Sequence, residues 1–462
     1  MAMDLPQRVR MVQRGRAILI RAELDRTVVF GILAQAWGMV GGPVTVLLIA
    51  NRFSPVLQGL HYTFYSLLGV QALVELGMNQ VILQFASHEW SRLGLSQQGD
   101  VVGDPDALSR LASLYRLSAR WYRYGSVLFG LALAVGGTVF FSQASTGPIH
   151  WLAPWLALCV VYSLLLTLIP MWAVLEGSGQ MRHVYGFRLG QGVLGSLTTW
   201  TCIALGAGLW TAFAAGVCNL LAAKLFLGRY YSRFFRSLED PPPGPSVRWR
   251  AEVFPLQWRV GLTYLCSYFM YMSFVPIVFM FRGPVAAGQM GMSWALISAL
   301  SSVSMMFVVT KTPRFGVLIA QKRFRELDGL FWRGCVASVS IALLGSLLIV
   351  ALVIFLKSNQ FRFATRLLPL PDFALFLAAT VLFQVGVAQS LYLRAHKREP
   401  LLGLSVANGI VSILLTLSLG KSYGPFGIAA GYLGVISLGT LPASSYIWAR
   451  CRREWHARPA PR

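Results

Sequence analysis

Within the apolar stretch His61–Ala86 the one charged residue is Glu75, with Gln71 four positions before it and Asn79 four positions after. On a continuous helix, residues at i, i+4 and i+8 stack along one side, so the three would form a polar stripe. An ionisable group at membrane depth is costly and normally faces a cavity or a partner. Two readings follow. In one, the stripe lines a translocation path and Glu75 holds a proton or a sodium ion. In the other, the three groups hydrogen-bond between helices, with Glu75 neutral or paired to an arginine, because polar side chains also serve as interhelical glue. Counted from His61, Glu75 lies about 21 Å along the helix, past the bilayer midplane.

Other reactive residues form no recognisable set. The six cysteines (159, 202, 218, 266, 335 and 451) show no Cys-x-x-Cys spacing, which argues against a zinc site or a disulfide framework and leaves small apolar packing as their use. The histidines at 61, 88, 150, 183, 396 and 456 are equally dispersed, without metal-ligand spacing. A Gly-x-x-x-x-Gly-Lys phosphate loop is absent, so ATP hydrolysis by this chain is not expected. A net charge of +23 could suggest nucleic-acid binding, but the positive residues sit in short clusters between apolar runs, with no basic face or tail to hold a duplex.

The elements that must position these groups are membrane helices. Of 462 residues, 56% are hydrophobic and 12% charged, about half the charge of a soluble domain. Runs of 18 or more apolar residues read as spans, and bare strands or loops are excluded from hydrocarbon because their backbone groups stay unsatisfied. The sequence predicts an all-α polytopic membrane protein of about 12 transmembrane helices, near 28–50, 61–86, 123–142, 151–175, 185–206, 209–230, 259–281, 288–310, 333–356, 372–393, 401–420 and 424–449. With these spans, the 40 Lys and Arg residues divide unevenly. Only Arg52, Arg282, Lys357, Arg362, Arg366 and Lys421 fall at one face, which leaves 34 at the other. By the positive-inside rule the positive-rich face, with both termini, is cytoplasmic. Residues 1–27 read as a cytoplasmic amphipathic lead-in on the membrane surface, with a disordered basic tail as the alternative. Residues 450–462 read as a basic cytoplasmic tail.

An internal repeat organises the spans. Arg52-Phe-Ser-Pro55-Val56-Leu-Gln-Gly59 is matched by Arg282-Gly-Pro284-Val285-Ala-Ala-Gly288. Each reads Arg, a short gap, then Pro-Val-x-x-Gly, and Tyr65 and Trp294 follow in equivalent places. The next loop is basic and amphipathic in both copies, through Leu111, Leu114 and Tyr115 in one and Leu327, Leu330 and Phe331 in the other. The halves 28–231 and 259–449 are therefore two parallel six-helix bundles related by an axis along the membrane normal, with a path between them. The segment 232–258, containing Pro241-Pro-Pro-Gly-Pro245, reads as a semi-rigid cytoplasmic spacer between moving bundles. Gly42-Pro43, Pro170 and Pro276 are expected to kink or interrupt their helices.

The segment from Arg52-Phe-Ser-Pro-Val-Leu-Gln-Gly59 through Val74-Glu-Leu-Gly77 to Gln84-Phe-Ala-Ser-His-Glu-Trp90 resembles the front of bacterial polysaccharide exporters. Thr312-Pro-Arg-Phe-Gly316, with Glu326-Leu327 beyond it, is similar to that family's loop after the eighth helix. These proteins are lipid-linked oligosaccharide flippases of O-antigen type, in the superfamily that also contains the multidrug and toxin extrusion antiporters. The resemblance implies a polyprenyl-diphosphate cargo, alternating access, a cytoplasmic inner membrane, and polysaccharide-assembly proteins as partners beside the membrane lipids. A diphosphate calls for cations, and the forked guanidinium of Arg suits it. The candidates near helix ends are Arg52, Arg188, Lys224, Arg259, Arg282 and Lys311, although flanking cations commonly snorkel to headgroups. Arg52 and Arg282 stand out because they occupy the positive-poor face at matching places. A cation-coupled drug antiporter of the same fold and a polytopic glycosyltransferase or polymerase are the alternatives. The longest loop on the positive-poor face is about 15 residues, and Asp372 is the only acid near that face, which disfavours the enzyme. No cofactor is expected beyond a coupling proton or sodium ion.

Overall fold

The structure is a computed structural model that describes residues 26–144, 148–396 and 398–457. All but the last two residues of the 1–27 lead-in, and the last five residues of the basic tail, therefore lie outside the described residues. The first span is α1 (Arg26–Arg52), carrying Pro43 inside it. The second is α2 (Pro55–Leu68), α3 (Gln71–Glu75) and α4 (Met78–Trp90). A short hairpin, β1 (Leu93–Leu95) antiparallel to β2 (Val101–Gly103), follows it. Next come α5 (Pro105–Ser142), α6 (Leu152–Leu166) with α7 (Ile169–Gly177), α8 (Met181–Ala204) and α9 (Trp210–Tyr230). The surface helix α10 (Ser232–Glu239) leads through a π-turn at Trp249–Val253 into α11 (Phe254–Tyr271). The second half continues with α12 (Phe274–Val309), α13 (Thr312–Ala320), α14 (Phe324–Ser358), α15 (Leu370–Ala395), α16 (Leu402–Tyr423), α17 (Pro425–Gly434) and α18 (Leu441–Ala457).

By length and apolarity alone, nine helices among the described residues qualify as membrane spans, and the bent second span makes ten. Helix α8 is an eleventh in the same bundle. One qualifying stretch reverses direction at Gly283, whose φ of 80° and ψ of −178° break α12 into two limbs, which makes twelve. The chain is thus an all-α polytopic membrane protein of twelve spans in two bundles. The pairings repeat in both halves. Spans 1 and 5 pack as 7 and 11 do, 3 and 4 as 9 and 10, and 5 and 6 as 11 and 12. Each bundle has an aromatic centre. Phe64, Phe141 and Trp155 cluster in the first at 4.9–5.2 Å, and Trp155 donates to the Leu133 carbonyl. Phe274, Trp294, Phe376 and Tyr432 form the second. Leu343, Leu344, Leu347 and Leu348 of α14 face outward, as a lipid-facing helix requires.

Three departures from expectation have physical causes. The second span is not one straight helix over 61–86, because left-handed Leu76 (φ 41°) and Gly77 (φ 69°) end α3, and the pieces bend by 48°. The third and ninth spans extend the predicted 123–142 and 333–356 backwards into the basic amphipathic segments, which continue the same helices. The proline-rich segment is not a free spacer. Gly244 lies against Ser109 of α5, the Val247 amide donates to Ser113 Oγ at 2.9 Å, and Trp249 stacks on Trp121 at 5.7 Å. In α10, Phe234, Phe235 and Leu238 turn inward, while Ser237 Oγ accepts from the Val101 amide of the hairpin. The linker is therefore packed on the N-terminal bundle. Pro170 and Pro276 do mark interruptions, just after Thr167–Leu168 and Met272–Ser273.

Candidate functional site

Contacts between the two halves run chiefly through spans 1 and 2 on one side and 7 and 8 on the other, with Phe140 and Phe141 of the third span against Phe279 and the turn at Arg366 against Phe53 and Gln58. Helix α3, which carries Gln71 and Glu75, lies between α5 and α11. Breaking a helix inside a membrane frees backbone groups that must find partners. Here the Trp121 indole of α5 donates to the Val74 carbonyl at 3.1 Å. On the other flank the break touches α11 directly. A Cβ on Gly77 would meet Val260 Cγ1 at 2.3 Å, and one on Gly261 would meet the Leu76 carbonyl oxygen at 2.8 Å. Gly77 thus serves twice, supplying a positive φ that only glycine adopts freely and clearing the seventh span.

Gln71 and Glu75 stand one turn apart on α3, but the break separates them from Asn79 on α4. The three do not form the continuous i, i+4, i+8 stripe expected of a straight helix. All are half-buried. Among the described residues none of the three has a hydrogen-bond or ion-pair partner, in contrast to the buried Glu89 and Glu176.

The basic candidates are dispersed and several are engaged. Arg52 Nη1 reaches the Ala204 carbonyl at the end of α8 at 3.4 Å. Arg282 Nη2 donates to the Ser422 carbonyl at 2.9 Å, with Lys421 O at 3.4 Å, at the end of α16. These are equivalent acts in the two halves. Each arginine satisfies terminal carbonyls that a helix leaves unpaired and sits favourably at the negative end of its dipole. Arg188 pairs with the buried Glu176 and lies over the Tyr185 ring. Arg259 is exposed at the start of the seventh span, 5.6 Å over the Trp258 ring. Lys224 lines a shallow groove with Leu168, Met171 and Glu239, and Lys311 precedes α13.

Sequence reasoning missed three acids held by arginines at the positive-rich face. Glu89, 2% exposed, accepts from Arg110 Nε at 2.9 Å and Arg92 Nη2 at 3.0 Å. Arg110 Nη2 also binds Glu252 at 2.6 Å. The hydrogen bond to Glu252 chiefly raises the pKa of Arg110, and the same bond lowers that of Glu252. Asp328 holds Arg452 through Nε and Nη2 at 2.9 and 2.6 Å, and Tyr392 Oη donates to it at 2.8 Å. Burial holds the His456 imidazole nearby below its ordinary pKa. Arg110 and Arg452 lie 21 to 142 residues from the acids they hold, so no local spacing signals these pairs. Among the described residues, no three His, Cys, Asp or Glu side chains gather as a metal site.

Known protein families and curated proteins give no match to this chain. Solved structures do. An inward-facing multidrug resistance MATE family transporter of the MOP superfamily aligns with a TM-score of 0.57 at 14% identity, over 92% of this chain and 96% of that one. The MATE multidrug transporter DinF-BH aligns at 0.61 and 13% identity, over 94% and 97%. The lipid II flippase MurJ, in an inward closed conformation, aligns at 0.59 and 13% identity, over 93% and 90%. The fold is thus the twelve-helix, two-bundle fold of these transporters and flippases, along nearly the whole chain.

Proposed function

We propose that this chain is a flippase that carries a polyprenyl-diphosphate-linked oligosaccharide across the bacterial cytoplasmic membrane for surface polysaccharide synthesis, by rocking of its two bundles. The observation that carries the reading is the charge of the four spans that meet between the halves. Their acids are Glu75 and Glu89, and Glu89 is already bound by two arginines. Against these stand Arg52, Arg259 and Arg282, an excess that suits a diphosphate better than an organic cation. The positive-rich face and both termini are then cytoplasmic. Glu75, without a partner among the described residues at the bend of the second span, is the proposed proton or sodium site, with Gln71 beside it. Arg188 and the other helix-end cations act at the membrane surface.

The same unpartnered carboxylate is the feature that favours cation-coupled antiport of small organic cations. The two readings separate in proteoliposomes. Movement of a fluorescent polyprenyl-diphosphate oligosaccharide between leaflets supports the flippase. Gradient-driven uptake of cationic dye without lipid movement replaces it with the antiporter, and sugar transfer between acceptors by the purified protein would make the chain an enzyme. In cells, loss of the protein should trap lipid-linked glycan on the inner leaflet.

A further inference from the structure

The two copies of the Pro-Val-x-x-Gly motif meet. Pro55 opens α2, and Pro284 opens the second limb of α12 directly after the reversal at Gly283. Four residues further on, Gly59 and Gly288 face each other across the bundles at the positive-poor end. A Cβ on Gly288 would lie 2.9 Å from Gly59 N, and one on Gly59 would lie 1.8 Å from the Pro284 carbonyl oxygen. One turn deeper, Gly291 leaves room for Tyr62. Backbones this close require small residues at the crossing, so the repeated glycine is the part of the motif that lets the halves touch.

Polar bonds fasten the crossing. Gln58, beside the glycine, donates through Nε2 to the Gly288 carbonyl at 2.8 Å and to the Arg366 carbonyl at 3.2 Å. Arg366, in the short helical turn Arg362–Arg366, returns a bond from Nη2 to the Phe53 carbonyl at 2.7 Å. The closure is also incompletely satisfied. Gln58 Oε1, His61 Nδ1, Tyr62 Oη and Arg366 Nη1 are buried there without a partner among the described residues. A buried polar atom left unpaired costs stability, and water would satisfy all four once the halves part, so the closed state is held only by a narrow margin.

We propose that the duplicated motif is the seal of the positive-poor mouth: Gly59 and Gly288 set whether the two halves can close, and Gln58 and Arg366 are the bolts across them. This deepens the transport reading by assigning its far-side gate, and the accessibility assay below needs no cargo. A failed seal and a failed cargo assignment are therefore distinguishable.

The test uses the full-length chain in membranes, with its six native cysteines replaced. Met292 is fully buried beneath the crossing, and its sulfur is 3.8 Å from Gln58 Nε2. With Met292→Cys as reporter, an impermeant maleimide applied from the positive-poor side should react at least about tenfold faster when Gly59→Ala is added, because overpacking shifts the population towards the open mouth. Gly136→Ala, where a Cβ meets nothing within 4 Å, should leave the rate unchanged. An unchanged rate in Gly59→Ala overturns the proposal. Should Gly59→Ala fail to fold, the pair Gln58→Cys and Met292→Cys decides. Oxidation is expected to join the two residues in the membrane, and reductant to release them. A pair that never links overturns the seal.

Discussion

Glu89→Gln isolates the buried charge network that ties the second span, the third span and the entry to the seventh. The carboxylate is 2% exposed and accepts from Arg110, itself 24% exposed, and from Arg92 at 48%. Charge-assisted hydrogen bonds contribute about 1.5–3 kcal/mol when buried, while an exposed pair contributes about 0–1 kcal/mol. Most of the loss therefore falls on the Arg110 contact, and a glutamine retains one acceptor, so a net cost of about 2 kcal/mol is expected. With a six-helix bundle as the cooperative unit, that lowers Tm by roughly 4–8 °C, followed by tryptophan fluorescence in detergent. Glu454→Gln, which removes the exposed i, i+4 pair with Arg450, should leave Tm unchanged. Acid supplies a second axis. Glu252 has its pKa depressed in the folded chain by Arg110, so its contribution is present above the ordinary value of 4.5 and is lost as pH falls below it. Glu252→Gln should flatten that part of the profile. Equal Tm values for Glu89→Gln and Glu454→Gln would refute the assignment of a buried, stabilising network.

Glu75→Gln should leave folding intact while reducing transport per folded molecule and removing its dependence on the proton or sodium gradient. Wild-type turnover with unchanged ion dependence would take Glu75 out of the mechanism. Gly137→Ala should destabilise by about 1–3 kcal/mol through overpacking, since its Cβ would sit 2.3 Å from the Trp155 ring, whereas Gly136→Ala one residue earlier should be silent in the same melt. A cysteine at Pro245 should resist an impermeant reagent applied to intact cells; ready labelling would reverse the orientation of both bundles.

The spans were legible because lipid imposes one demand, a long apolar helix, that composition reports directly. The repeat was legible too, through Pro55 to Gly59 and Pro284 to Gly288, although its role in the contact between halves was not visible in the letters. What escaped depends on partners distant in the chain. A lone Gly77 in an apolar run looks like any other glycine, and only the approach of Val260 and Gly261 explains why the helix breaks there. Composition marked 241–245 as a spacer, yet Ser109 lies against Gly244 and the Ser113 hydroxyl accepts from the Val247 amide just beyond it, each pair more than 130 residues apart in the chain. Glu176 and Glu89 sit at predicted helix ends, where they look exposed until Arg188 and Arg110 are placed over them. The polar stripe was half legible: Gln71 and Glu75 share a turn, and Asn79 does not continue it.

The docked linker has a mechanical consequence. Because the chain from Ser232 to Val253 is bound to the N-terminal half, the covalent bridge to the other half has almost no slack and begins at Phe254. A joint without slack is a fulcrum, and the hydrocarbon layer of about 30 Å becomes its lever arm. A tilt of about 10° at that fulcrum displaces the opposite mouth by roughly 5 Å across this thickness. That exceeds the 2.8 Å separating Gln58 from the Gly288 carbonyl. Under the proposed rocking, a small angular movement on one side of the membrane is therefore enough to disengage the far side.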